Sequence, residues 1–120
     1  METADIGRLA EARFFQITTR EQLAPWVHSI TPASAQCDAC GVDAVALVKR
    51  YITDDLVRVP IQIKTSFEGV EEHLAKHKHH WLARMVFVVV NQACKDKKIL
   101  AQLHDGLHHD FDRRDVLGRE

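Results

Sequence analysis

The feature that most limits the fold is a pair of β-rich runs, Val42–Arg50 and Leu56–Thr65, joined by the acidic stretch Tyr51–Asp55. Period-two patterning puts Asp43, Val45 and Leu47 on one face of the first run and Val42, Ala44, Ala46 and Val48 on the other. Both faces are largely apolar, the pattern of a strand inside a sheet covered on both sides. The acids of the joining stretch favour a turn over a helix, so the two runs form a hairpin. Pro60 cannot donate a ladder hydrogen bond, which predicts a bulge or an edge at that point of the second run.

Hairpin geometry then decides which side chains meet. A turn centred between Thr53 and Asp54 sets Asp43 opposite Lys64, and a centre one residue nearer the N-terminus sets Asp43 opposite Gln62. Directly opposite residues of antiparallel strands project from one face, so either register gathers Asp43, Gln62 and Lys64 at one end of the hairpin. Such a cluster has hydrolytic potential. Asp43 offers a hard anionic oxygen to Mg²⁺ or Mn²⁺, the Gln62 side chain and the Ile63 backbone offer neutral carbonyl oxygens, and water completes the shell. Lys64 can orient or deprotonate an attacking water, or stabilise charge developing on a scissile phosphate. The plain alternative is that Asp43 ends a loop and Lys64 is a solvated strand-end residue.

The remaining pattern builds the surroundings. Ile6, Leu9, Ala10, Phe14 and Ile17 fall on one helical face, predicting a helix over 4–19. Trp26–Ile30 alternates like a short strand, and the small residues and proline of Thr31–Gln36 predict a loop. A second helix is expected over Glu68–Ala83, with Val70, Leu74, His77 and Trp81 on one face. Arg84–Asn91 reads as a central strand, and a last helix over 94–108 packs through Ile99, Leu100, Leu103 and Leu107. The chain of 120 residues is expected to form one α/β domain, a mixed sheet flanked by helices.

Net charge is −1, which argues against a generic electrostatic binder of nucleic acid, but the charge is unevenly spread. Between Lys64 and Lys98 seven lysines and arginines stand against four acids, with His73, His77, His79 and His80 among them, a locally basic stretch compatible with a phosphate substrate. No apolar run reaches the ~18 residues of a membrane span. The opening residues lack the basic-then-apolar pattern of a signal peptide, so a cytoplasmic protein with reduced cysteines is expected. Cys37-x-x-Cys40 invites a zinc reading, with His73, His77 or His80 as partners, but a strong zinc signature needs a second paired ligand set. Glycine-rich phosphate loops and Gly-x-Ser-x-Gly elbows are absent.

Gly41-Val42-Asp43 followed by Ile61-Gln62-Ile63-Lys64-Thr65-Ser66 resembles the PD-(D/E)XK nuclease superfamily, whose signature is an Asp opening one hairpin strand and Glu/Asp-x-Lys on the next. Gly7-x-x-x-Glu11 on the first helix is similar to that superfamily's first motif, which delivers a further carboxylate. The resemblance spans about residues 5–105 and is nearest to the small members that carry Gln-x-Lys. It implies a restriction-endonuclease-like αβββαβ core and divalent-metal-dependent cleavage of nucleic acid, DNA before RNA, often by homodimers. It implies metal ligation by Asp43, Gln62, Ile63 and Glu11, and water activation by Lys64. In that reading Lys76, His77, Lys78 and His80 track the nucleic-acid backbone. Gln62 departs from the common carboxylate and lowers the site's charge by one unit. This leaves two alternatives open: a catalytically decayed binding or interaction module on the same fold, and a zinc-stabilised interaction protein built on Cys37 and Cys40.

Overall fold

The computed structural model describes residues 3–34, 41–49, 55–76 and 85–117, without the side chains of 3–4 and 109–117. Helix α1 (Thr3–Arg20) is followed by strands β1 (Val27–Pro32), β2 (Ala44–Lys49) and β3 (Leu56–Lys64). Helix α2 (Phe67–Lys76), strand β4 (Val86–Val89) and helix α3 (Asp96–Leu117) complete the order. The strands form one mixed sheet in the order β1-β2-β3-β4. The first three pair antiparallel, and β3 pairs β4 in parallel across α2. Among the described residues the protein is therefore an α/β fold, as the periodicities require.

Helix α1 forms where the apolar spacing predicts it, with Asp5 in its first turn and Arg20 in its last, both matched to the helix dipole. Its buried side chains are Ala10, Phe14 and Ile17. They join Ile99, Leu103 and Leu107 of α3 against Ala44, Ala46, Val48, Val59, Ile61, Ile63, Val86 and Val88 on one face of the sheet. Helix α3 comes so close that a Cβ on Gly106 would stand 2.5 Å from Val86 Cγ1, so glycine is required there by contact. Arg13 ties α1 to the turn before α3. It donates to the Asn91 and Cys94 carbonyls, both at 2.7 Å, and to Asp96 Oδ1 at 2.9 Å. The open side of β4 is blunted by Gln102, whose amide accepts from Val89 N–H and donates to Val89 C=O, each at 3.0 Å.

Three expectations need correction. Thr31 and Pro32 belong to β1 and not to a loop, because β1 is the outer strand and a missing proline donor there faces no partner. Of the bulge or edge expected at Pro60, the bulge is absent, since pairing runs unbroken from Ala44–Ile61 through Val45–Pro60 to Lys49–Leu56. The Lys64 carbonyl accepts from Val90 N–H, so by alternation the Pro60 nitrogen also points toward β4, whose described part begins only at Val86, opposite Ile61. The third concerns α2, which has no buried residue and leaves Leu74 39% exposed. It lies on the far face of the sheet from α1 and α3, over β3 and β4. There His73 turns inward, its ring centroid 5.1 Å from Phe87, and Val70 packs against the core's margin. A helix over two strands has only a narrow strip to cover, too narrow for the broad apolar face expected of it. His77 and Trp81 lie outside the described residues.

Candidate active site

Two local devices shape the end of the β2–β3 hairpin. Gly41 has φ +91°, the left-handed region that glycine enters without strain, and a Cβ there would stand 3.5 Å from Gln62 Nε2. The Gln62 amide thus packs directly behind the turn into β2. Asp43 N–H then donates to the Ile61 carbonyl at 2.9 Å, although Ile61 is already the partner of Ala44. Two consecutive residues facing one is the arrangement of a β-bulge. The Asp43 carbonyl turns the other way and accepts from Ala33 N–H at 3.1 Å.

The consequence is felt in the carboxylate. Asp43 Oδ2 accepts the Ile63 amide at 2.8 Å, filling the place of a strand partner that β2 does not extend far enough to provide. Of the two registers open to the hairpin, the observed one is that which sets Asp43 next to Gln62. The bulge aligns its carboxylate with the β3 backbone between Gln62 and Lys64. A strand residue directs its N–H and C=O to the same edge, so the Ile63 carbonyl is turned toward the Asp43 side as well.

Gln62 and Lys64 alternate with buried Ile61 and Ile63 and project to the α2 side of the sheet. Lys64 is half-buried, its Cδ 3.7 Å from the place a Gly69 Cβ would take. Gln62 Oε1 is shielded from solvent and has no hydrogen-bond partner among the described residues. A buried acceptor left unmet is rare and calls for a missing donor or cation. Glu11 is half-buried on a flank of α1, beside Ala10, and α1 rests on the Ile61–Ile63 face, opposite to that of Gln62 and Lys64. Lys76 is exposed at the end of α2, while His77, Lys78, His80, Cys37 and Cys40 lie outside the described residues.

Among the described residues no group of three or more His, Cys, Asp and Glu side chains could hold a metal ion. The Asp43, Gln62 and Ile63 set differs in kind: one carboxylate, one amide oxygen and one peptide oxygen. All three are hard donors, and they fit a small divalent cation that keeps several waters. The Gln62 oxygen, unmet among the described residues together with His73 Nε2 on the same face, is the observation in its favour. A hollow of about 670 Å³ lies elsewhere, between α1 and the turn before α3, lined by Ile6, Leu9, Ala10 and Arg13. Its one cation, Arg13, is already bonded to two carbonyls and Asp96, so that hollow carries no evident chemistry.

Sequence patterning missed Gly41 as a positive-φ turn and Arg13 as an inter-element tie. The first could have been suspected from a glycine two residues before Asp43, and the second left no local signal. Compared with family models, with curated proteins and with solved structures, the chain gives no match. Among the described residues no helix is long and apolar enough to cross a membrane.

Proposed function

We propose that this protein is a divalent-metal-dependent nuclease of restriction-endonuclease-like architecture that hydrolyses phosphodiester bonds, in DNA before RNA. The observation that supports the reading is the Asp43 carboxylate held on Ile63 N–H, between Gln62 and Lys64 on β3, with the Gln62 oxygen unpartnered among the described residues. The element order and the parallel β3–β4 pairing across α2 support an αβββαβ core. Asp43, Gln62 and the Ile63 carbonyl would hold Mg²⁺ or Mn²⁺; Glu11, which the resemblance adds as a further carboxylate, stands on the α1 side of the sheet. Bound there, the ion acidifies a water and polarises the phosphate. Lys64 positions that water or meets the charge growing on the phosphate. Lys76, with His77, Lys78 and His80, follows the backbone of the substrate. A two-fold dimer would present two such sites to two strands. A reducing cytoplasm suits the free, buried Cys94.

Incubation of the purified chain with labelled single strands, duplexes and junctions, in Mn²⁺ and in EDTA, tests the reading. Cleavage should need the metal and vanish in Lys64→Met while the fold is kept. Absence of cleavage from every substrate in Mn²⁺ would remove the proposal. One observation favours a second reading, a decayed binding module: one Asp43 oxygen is already committed to Ile63 N–H, and Gln62 brings no charge. Such a module binds nucleic acid in a salt-dependent way without turnover.

A further inference from the structure

We infer that Lys64, Lys95, Lys97 and Lys98, together with the exposed ring of Phe67, hold an unpaired stretch of nucleic acid beside the candidate site; this rests on the nuclease reading and adds the surface that takes the substrate. Three contacts bring these residues to one end of the sheet. Val90 N–H donates to the Lys64 carbonyl at 2.8 Å, so the ends of the parallel strands β3 and β4 lie side by side. Asn91 Nδ2 donates to the Thr65 carbonyl at 3.0 Å, joining the turn before α3 to the turn before α2. Lys98, in the first turn of α3, then carries its Nζ to 5.4 Å from the centre of the Phe67 ring, at the start of α2.

Nothing within the fold rewards this charge. Lys95, Lys97 and Lys98 are exposed, and among the described residues neither they nor Lys64 take part in an ion pair. The acid that stands among them, Asp96, is committed to Arg13 and Arg20, at 2.9 and 2.8 Å. Cations at the start of a helix oppose its dipole, so the lysines of α3 lower stability where they stand. On α2 the acid Glu68 follows Phe67, and Glu71 and Glu72 come a turn further along. Phe67 itself stays 52% exposed with Lys98 over it. A ring in water bordered by unpaired cations fits a ligand that shows flat apolar faces and regular negative charge at once. An unpaired strand does so, with a base on the ring and phosphates on the lysines, whereas a duplex hides its base faces. An acidic peptide would meet the lysines and leave the ring without a counterpart. Lys64 alternates with Gln62 on β3, so a phosphate held by Lys64 adjoins the proposed scissile position.

The test measures binding by fluorescence anisotropy on the full chain in EDTA, with a labelled single strand, its matched duplex and heparin, a polyanion without bases. The single strand should bind more tightly than the duplex. Lys95→Gln, Lys97→Gln and Lys98→Gln in one chain should lower the slope of log affinity against log salt by about 2, the loss of three phosphate contacts on a single strand. Phe67→Leu should weaken strand binding about fivefold with the slope unchanged, the low end for an aromatic under a base, and Phe67→Tyr should restore it. Heparin should lose affinity in the lysine variant and keep it in Phe67→Leu. Thermal melts confirm that the variants fold. No strand binding by the wild type, a preference for duplex, or a wild-type salt slope in the lysine variant overturns the inference. So does equal weakening of heparin and strand in Phe67→Leu, because the ring then only supports Lys98. Cleavage in Mn²⁺ is scored apart. Cleavage with wild-type KM in the lysine and Phe67→Leu variants removes the patch and keeps the nuclease. Strand binding that both variants weaken as expected, without cleavage by the wild type, keeps the patch and removes the nuclease.

Discussion

Replacing Asp43 with Ala and with Asn perturbs two properties in different proportion. Ala removes the charge and also the acceptor that receives Ile63 N–H at 2.8 Å. Ile63 is only 9% exposed, so that amide is left largely without a partner. A hydrogen bond to a charged group contributes about 1.5–3 kcal/mol, and because Asp43 is itself half-buried the lower part of that range applies, about 1.5–2 kcal/mol. For a chain of this size that is a fall in Tm of roughly 5–10 °C. Asn keeps a side-chain oxygen for the amide and loses only the charge, which limits the cost to about 0.5–1 kcal/mol, or roughly 2–5 °C. Both variants lack the anionic oxygen for the cation, and metal-dependent cleavage should fall by about a hundredfold or more in each. Circular dichroism melts in EDTA and cleavage of a labelled strand in Mn²⁺ read the two effects separately. If Asn melts together with Ala, the hydrogen-bond account of Asp43 is wrong. If Asn cleaves like the wild type, Asp43 is a structural cap for β3 and the assigned site is refuted.

Three further outcomes follow from the same geometry. Gly106→Ala drives a methyl into Val86; crowding of about 1–3 kcal/mol outweighs the ~1 kcal/mol gained in helix propensity, so the melt should drop, and Val86→Ala in the same chain should restore most of the loss. The hydrogen bond from Arg13, followed by the charges of Arg13 and Arg20, holds the Asp96 carboxyl below its ordinary value despite some desolvation. With the folded pKa depressed, this tie stabilises the protein above the unfolded pKa of about 3.9 and is lost as pH falls through the folded value, so the Tm difference between wild type and Asp96→Asn should be full at pH 6 and close below pH 4. Gln62→Glu should melt lower than wild type in EDTA and gain more Tm on adding Mn²⁺, as differential scanning fluorimetry would show; equal gains would place the cation elsewhere.

The parts of the fold that periodicity governs were legible in the chain. Ala10, Phe14 and Ile17 announce α1, Ile99, Leu103 and Leu107 announce α3, and the alternation of β2 and β3 gives both strands their inward faces. What was not legible depends on neighbours. Pro60 looks like a fault in a strand, but its missing donor falls before the described part of β4 begins. A bulge-like kink sits instead at Asp43, where Gly41 turns the chain and the Asp43 N–H reaches the Ile61 carbonyl, while the register shift of the sheet lies in β1 between Val27 and Ser29. Leu74 fits the inward face of a helix by spacing, yet α2 covers two strands only and leaves it outside. The candidate site was half legible: spacing gathers Asp43, Gln62 and Lys64, but only the folded chain gives the Asp43 carboxylate a second task on Ile63 N–H.

That second task gives a physical reason for an amide at position 62. A carboxylate there would set a second anion beside Asp43 at a shielded end of the sheet, and without a cation each would raise the other's pKa and oppose folding. Asp43 could not relieve the repulsion by taking a proton without weakening the hydrogen bond that ends β3. The Gln62 amide keeps an oxygen aimed inward and removes the repulsion. Its cost is one unmet acceptor, about 1–3 kcal/mol, smaller than that of an unneutralised buried pair and recoverable by whatever donor or cation arrives. In the nuclease reading a hairpin end built this way would hold a cation weakly, and phosphate oxygens of the substrate would supply ligands that the protein does not. In the nuclease reading Gln62 would therefore tie metal affinity to substrate. In a decayed module the same amide would need no cation at all, and a bound strand would leave the affinity for Mn²⁺ unchanged.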